Sequence, residues 1–227
     1  MSWFTQTITS TLGRKLLMAL TGLFLVLFLV VHLAGNLQLL SSDGGQSFNV
    51  YAKFMTTNAL IKTSSYLLYA TFIAHIVWSI LLTMHNSKAR GPEKYANSKS
   101  SNKVSWNSRN MGILGTIVFI FLVIHMKNFW FEMHWGEVPM ASYDGEQYKD
   151  LYAVVSAAFS QWWYVVLYCF SMLGLAFHLY HGFQSAFQTL GLNASKYTPA
   201  IQGIGVVFSI VVPGLFALIP IWMFLVR

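Results

Sequence analysis

Five long apolar stretches limit what this chain can fold into. They lie at about 14–40, 62–86, 109–131, 159–190 and 203–226. A helix rises about 1.5 Å per residue, so about 20 residues cross a bilayer core about 30 Å thick. Because 56% of the 227 residues are hydrophobic and only 9% are charged, a water-soluble domain is excluded. The sequence predicts an all-α integral membrane protein, in which residues 1–227 form one domain with five transmembrane helices.

The basic residues predict the orientation of this bundle. They precede the first stretch, separate the second from the third, and separate the fourth from the fifth, which places them on one side of the membrane. The positive-inside rule assigns that side to the cytoplasm. The amino terminus is then cytoplasmic, the carboxy terminus lies outside, and the formal charge of +7 needs no nucleic-acid partner. These residues are Arg14, Lys15, Lys88, Arg90, Lys94, Lys99, Lys103, Arg109 and Lys196.

One histidine lies inside each of the first four stretches: His32, His75, His125 and His178. An imidazole in a bilayer core needs a hydrogen-bond partner or a metal to offset its desolvation. Because neutral imidazole is a strong iron ligand, four such residues suggest two haems, each held by two histidines. The alternative is that the histidines only form hydrogen bonds between helices. The single cysteine, Cys169, excludes iron–sulfur and zinc sites with several Cys ligands from this chain.

Depth in the membrane predicts how the histidines pair. His32 and His125 lie about 13 and 10 Å from the outer ends of their helices, whereas His75 and His178 lie about 20 and 25 Å inward. We therefore expect His32 and His125 to bind an outer haem, and His75 and His178 an inner haem. The fifth helix would carry no ligand. His181 lies one turn past His178, so spacing alone leaves open which of the two binds iron.

Small residues accompany the histidine of the fourth stretch. Gly174, His178 and Gly182 recur every four residues, so they share one helix face that could accept a porphyrin. The alternative is that the two glycines only permit close packing of helices. His85 and His134, near the ends of their stretches, are predicted to be solvated interface residues.

Four segments carry a resemblance to a known family. They read GRKLLMALTGLFLVLFLVVHLAGNLQLL, HIVWSILL, HMKNFWF and FHLYHGFQSAF, one in each of the first four stretches. With them the chain resembles, over essentially its whole length, the dihaem cytochrome b subunit of succinate dehydrogenase and fumarate reductase. The resemblance implies five helices and two haem b groups, with one histidine ligand on each of the first four helices. Counting back from the turn at Gly191, it places the fourth ligand on His178.

His181 is predicted to contact the inner haem without binding its iron. Helical spacing puts it one turn nearer the cytoplasm than His178, where propionates facing the polar surface would lie. We therefore expect His181 to bond a propionate or to support the inner haem through other residues.

The resemblance also implies partners. In that family a flavoprotein subunit oxidises succinate to fumarate, an iron–sulfur subunit relays the electrons, and the anchor passes them to a quinone, typically menaquinone. This chain has no flavin fingerprint and no cysteine cluster, so the dicarboxylate chemistry would belong to the partners. The basic loop 88–109, with Arg14 and Lys15, is the expected docking face for the iron–sulfur subunit, unless these charges only set topology. The implied location is the cytoplasmic (inner) membrane of the cell, with lipid around the helices.

Polar residues near His32 and His125 are candidates for binding the quinone, which needs a partly polar pocket and a source of protons. Each could instead be an ordinary interfacial residue. Two other functions remain open: a dihaem anchor of another membrane dehydrogenase or hydrogenase, and a haem-free channel or transporter whose histidines relay protons. The quinone candidates are Asn36, Gln38, Lys127, Asn128 and Glu132.

Overall fold

The chain is mostly helical. The computed structural model describes residues 2–90 and 106–226, and 83% of the structure is helix. Most of the predicted docking loop, 91–105, therefore lies outside the described residues. The helices are α1 (Trp3–Thr9), α2 (Thr11–Asn36), α3 (Gln46–Thr57), α4 (Ala59–Arg90), α5 (Trp106–Arg109), α6 (Met111–His125), α7 (Glu132–Trp135), α8 (Leu151–Phe159), α9 (Trp162–Thr189) and α10 (Thr198–Leu225).

Five helical segments of the described residues are long and apolar enough to cross a membrane, which confirms the predicted number. The fifth begins at Thr198 instead of near 203, because Pro199 is tolerated in the first turn, where its missing N–H needs no helical partner. Large apolar side chains remain exposed on these segments, among them Leu60 (77%) and Ile73 (65%), so the molecule has the surface of a multi-pass membrane protein. The segments are Thr11–Leu40, Ala59–Lys88, Met111–Trp135, Trp162–Thr189 and Thr198–Leu225.

The chain divides into two compact units. The first consists of Met1–Leu27, Leu67–Gly115 and Phe177–Ser209. Its buried side chains include Phe183, whose ring stacks on Phe208 at 6.0 Å between centroids.

The second unit consists of Phe28–Tyr66, Thr116–Ala176 and Ile210–Arg227. Two changes of helical geometry occur in it. After α2 the chain continues as a 3₁₀ turn, Leu37–Leu40, and after α6 it continues as a π-helix, Met126–Phe131. π-helical turns inside longer helices are frequent at functional sites, and this one begins immediately after His125.

A β-hairpin in the second unit corrects the all-α prediction. Strand β1 (Met140–Tyr143) pairs antiparallel with β2 (Glu146–Lys149). Asp144 and Gly145 join the strands with φ of 51° and 83°, and two positive φ values are typical of the tight type I′ turn. The Asp-Gly dipeptide is therefore a hairpin signal that the all-α prediction missed.

Asn49 fastens α3 to the segment that follows the hairpin. Its side chain is completely buried, and its amide nitrogen donates to the Tyr143 hydroxyl at 3.0 Å and to Asp150 Oδ1 at 2.9 Å. Its carbonyl oxygen accepts from the Tyr152 N–H at 3.0 Å. Asp150 also accepts from the Ala153 N–H at 3.0 Å and so caps α8. The buried Asn49 side chain thus links α3 to the hairpin and to the start of α8.

Candidate functional site: two histidine pairs

His32 and His125 lie side by side in the second unit. Their ring centroids are 5.8 Å apart and the ring planes are nearly perpendicular, at 88°. Phe28 stacks on His32 at 5.1 Å, and Phe216 of α10 approaches the same ring to 5.6 Å. Phe129 meets His125 edge-on at 5.3 Å. The pair therefore lies among aromatic rings.

A tyrosine hydroxyl lies within hydrogen-bond distance of the His125 ring. The hydroxyl of Tyr168, a residue only 6% exposed, lies 3.1 Å from His125 Nδ1. The rings of Tyr164 and Tyr168 are 4.9 Å apart, and the Asn128 amide donates to the Tyr164 hydroxyl. With Nδ1 engaged in this way, Nε2 is the nitrogen of His125 that remains for another partner. This arrangement is common in metal-binding histidines, whose second nitrogen is usually hydrogen-bonded.

His75 and His178 form a second pair, in the first unit. Their centroids are 6.5 Å apart and their planes meet at 65°. Thr21 Oγ1 lies 3.0 Å from His75 Nδ1. A Cβ added to Gly22 would lie 3.4 Å from His75 Cε1, and one added to Gly115 would lie 3.9 Å from His178 Cε1. A Cβ at either position would therefore make ordinary van der Waals contact with an imidazole, so both glycines lie beside the pair.

Both pairs have the spacing of axial ligands. Two imidazoles that hold one metal ion from opposite sides, with metal–nitrogen bonds of about 2 Å, have centroids about 6 Å apart. The observed separations of 5.8 and 6.5 Å fit that arrangement. His178 Nδ1 is buried without a hydrogen-bond partner among the described residues, which is costly for a polar atom unless something else binds there. The spacing of both pairs therefore fits haem ligation, although Asn36 Nδ2 also lies 3.4 Å from His32 Nε2.

Within residues 2–90 and 106–226, no group of three or more His, Cys, Asp or Glu side chains could jointly hold a metal ion. Axial ligation of haem needs only two, because the porphyrin supplies the other four ligands.

The two glycines on the His178 face serve different purposes. A Cβ at Gly174 would lie 2.8 Å from Ile117 Cγ2, so this glycine permits close helix packing, which was the alternative interpretation. A Cβ at Gly182 would meet nothing within 4 Å, so the face is open there. His181 is half-buried. His85 and His134 are exposed, as expected for interface residues.

The quinone candidates fall into two groups. Asn36 and Asn128 use their amides inside the fold: Asn36 Nδ2 donates to the His32 carbonyl at 2.7 Å, and Asn128 donates to Tyr164. The other three make no such internal bond among the described residues: Lys127 is exposed, while Gln38 and Glu132 are half-buried.

Two residues that contact the histidines, Thr21 and Tyr168, were not predicted from the sequence. Their hydroxyls lie within hydrogen-bond distance of His75 Nδ1 and His125 Nδ1. Thr21 and Gly22 belong to the Met-Ala-x-Thr-Gly segment that carried the resemblance, and both contact His75. Gly35, in the His-Leu-x-Gly-Asn segment, faces the Tyr51 ring, with which any Cβ would collide. Tyr168 offered no sequence signal, because aromatic residues are frequent throughout this chain.

Comparison with protein-family models, with curated proteins and with solved structures finds no match to this chain.

Proposed function

We propose that this chain is the dihaem cytochrome b subunit that anchors a succinate:quinone oxidoreductase in the cytoplasmic membrane. One observation carries the proposal: four histidines from four membrane-length helices lie in two pairs at the spacing of axial ligands. The ring-centroid distances of 5.8 Å for His32 and His125 and of 6.5 Å for His75 and His178 support the pairing predicted from helix depth. Hydrogen bonding between helices would require no such match to the geometry of a metal complex.

Haem b bound at each pair would supply reversible one-electron transfer. His32 with His125, and His75 with His178, would hold the two irons. The protein itself supplies the surroundings of these ligands. Phe28, Phe129 and Phe216 pack against the first pair and would give a haem held there an apolar surrounding. The proposed task is therefore conduction of electrons, with no dicarboxylate chemistry in this chain.

Charge supports the proposed orientation and partners. Arg14, Lys15, Lys88 and Arg109 flank the ends of helices that would face the cytoplasm. A basic face there favours an acidic surface on an iron–sulfur subunit, with a flavoprotein beyond it, because complementary charge speeds association and sets the docking orientation. In this proposal a haem held by His75 and His178 would exchange electrons with the iron–sulfur subunit, and one held by His32 and His125 would exchange them with the quinone.

The proposed electron acceptor is menaquinone, bound on the outer side near the His32–His125 pair. Gln38, Lys127 and Glu132 are the preferred contacts, because their side chains are not committed to internal hydrogen bonds among the described residues. Glu132 would exchange protons with the outside, as reduction of a quinone requires. Asn36 and Asn128 would shape the pocket while bonded to the His32 carbonyl and to Tyr164.

Purification of the tagged chain from native membranes tests the proposal. A flavoprotein and an iron–sulfur protein should co-purify, and succinate should reduce haem b in the purified complex. His85→Ala is the matched control, because this exposed histidine lies outside both pairs and its loss should leave the spectrum unchanged.

Three results would contradict the proposal in different ways. Haem without succinate reduction, together with other co-purifying subunits, would indicate an anchor of another dehydrogenase or of a hydrogenase. Absence of a haem spectrum would favour a proton-relay transporter. Loss of the spectrum in His85→Ala would mean that the ligands have been misassigned.

A further inference from the structure

A threonine of α2 contacts the imidazole of His75 on α4. Thr21 Oγ1 lies 3.0 Å from His75 Nδ1, 2.7 Å from the Leu17 carbonyl oxygen and 3.1 Å from the Met18 carbonyl oxygen. The neighbouring Gly22 keeps the space beside His75 Cε1 free of a side chain. The Thr-Gly dipeptide of α2 therefore faces one edge of the imidazole, the edge that carries Nδ1 and Cε1.

The partner to which the Thr21 hydroxyl donates its hydrogen determines which ring nitrogen of His75 is protonated. A threonine hydroxyl has one hydrogen to donate and two lone pairs that accept. If it donates to the Leu17 carbonyl, Oγ1 accepts from a protonated Nδ1, and Thr21 makes both bonds. If it donates to Nδ1 instead, the bond to Leu17 is lost. The first arrangement makes one more hydrogen bond in an apolar surrounding, so it is the stable one.

We propose that Thr21 is a positioning residue that fixes His75 as the Nδ1–H tautomer and thereby presents a bare Nε2 to iron. A neutral imidazole carries a single ring hydrogen, so protonation of Nδ1 leaves the Nε2 lone pair free. The inference deepens the proposed function, on which it rests, by assigning a role to a residue that does not itself bind haem.

The other histidine of the pair lacks such support. His178 Nδ1 is buried and has no hydrogen-bond partner among the described residues, whereas His75 Nδ1 has Thr21. The two histidines of this pair therefore differ in the hydrogen bonding of Nδ1. A hydrogen bond from the second nitrogen orients a metal-binding imidazole and raises its basicity. The Thr21 hydroxyl accordingly controls the electronic properties of this haem from one side, through His75.

Three variants of the whole complex test the role of the hydroxyl. Thr21→Val keeps the shape but leaves the Nδ1–H without an acceptor, so the ligand becomes less basic and ferric iron is less favoured. Loss of such a supporting bond costs about tenfold in metal affinity or more. If Thr21→Val weakens the binding of ferric iron tenfold and leaves that of ferrous iron unchanged, the midpoint potential of one haem rises. The rise is about 59 mV, the one-electron equivalent of a tenfold change in affinity. The potential of the other haem should stay unchanged.

Two controls separate this role from a merely structural one. Thr21→Ser retains a hydroxyl and should restore the wild-type potential. Thr71→Val removes a buried hydroxyl from α4 that bonds the Leu67 carbonyl at 2.8 Å, and it should shift neither haem. Equal potentials in Thr21→Val and wild type would overturn the proposal, as would equal shifts in Thr21→Val and Thr71→Val.

A second measurement requires no variant. Nitrogen NMR of the full chain with ¹⁵N-labelled histidine, recorded in the reduced complex, should show His75 protonated at Nδ1 and hydrogen-bonded. Protonation at Nε2 would overturn the proposal even if all variants failed to assemble. If the chain bound no haem, the proposed function would fail, yet the same spectrum of the chain would still report the tautomer that Thr21 imposes.

Discussion

At the scale of single residues, His181 provides a sharp test because it lies one turn from a proposed ligand. His181→Gln should retain both haems and shift the potential of the inner one, whereas His178→Gln should lose the inner haem. The ring centroids of His178 and His75 are 6.5 Å apart, which fits two ligands of one iron. His181 is predicted only to support the haem or its propionates. Haem content and redox titration of both variants provide the measurement.

The opposite pattern would transfer the ligand to His181. Loss of the inner haem in His181→Gln, with both haems kept in His178→Gln, is that outcome.

The sequence predicted the histidines better than it predicted their surroundings. A histidine in an apolar stretch stands out because its desolvation demands an explanation, and a helix fixes its depth through a constant rise per residue. Thr21 and Tyr168 do not stand out, since either residue is ordinary in a membrane helix. Their role depends on which face of a neighbouring helix meets them, and the pattern of one chain segment does not contain that information.

At the scale of elements, the membrane helices followed from apolar length, but the polar part of the second unit did not. The β-hairpin has only four residues in each strand, too few for an alternating pattern to be distinctive. Its stability comes instead from the Asp144–Gly145 turn and from α3, to which the buried Asn49 ties it. Such contacts join residues about 100 positions apart, so local patterns cannot reveal them.

Asn49→Ala should therefore destabilise this region strongly. The change leaves the Tyr152 N–H without its acceptor and Tyr143 and Asp150 without a donor. Since an unsatisfied buried group costs about 1–3 kcal/mol, we expect a loss of about 2–4 kcal/mol in the free energy of unfolding. Unfolding of the purified protein by denaturant in mild detergent measures it.

Thr56→Ala is the matched control for Asn49→Ala, because Thr56 lies on the same helix, is exposed, bonds only the Ala52 and Lys53 carbonyls of that helix, and should change the stability by less than about 0.5 kcal/mol. Similar stabilities of the two variants would show that the Asn49 hydrogen bonds contribute little.

At the scale of the whole molecule, each compact unit contains one histidine pair. The first unit contains His75 and His178, and the second contains His32 and His125. The five apolar helices were predictable because the bilayer sets their length. The direction in which they cross depends on charge asymmetry and stays a prediction.

Cysteine labelling tests that direction. In a Cys169→Ala background, cysteine placed at Ser142, which is exposed on β1, should react with an impermeant thiol reagent added to intact cells. Cysteine placed at Ser98, which lies outside the described residues, should react only after the cytoplasmic side is opened. Reversal of both results would invert the molecule and place the His75–His178 pair on the wrong side for an intracellular electron donor.

Haem stoichiometry in single-histidine variants tests the central claim most directly. The wild-type chain should bind two haem b groups with separate spectral components. His32→Ala and His125→Ala should each remove the same component, and His75→Ala and His178→Ala should each remove the other, because one missing ligand abolishes the low-spin state of its own haem. The account would be contradicted by a chain that binds no haem, or by His75→Ala and His125→Ala removing the same component while the other stays intact.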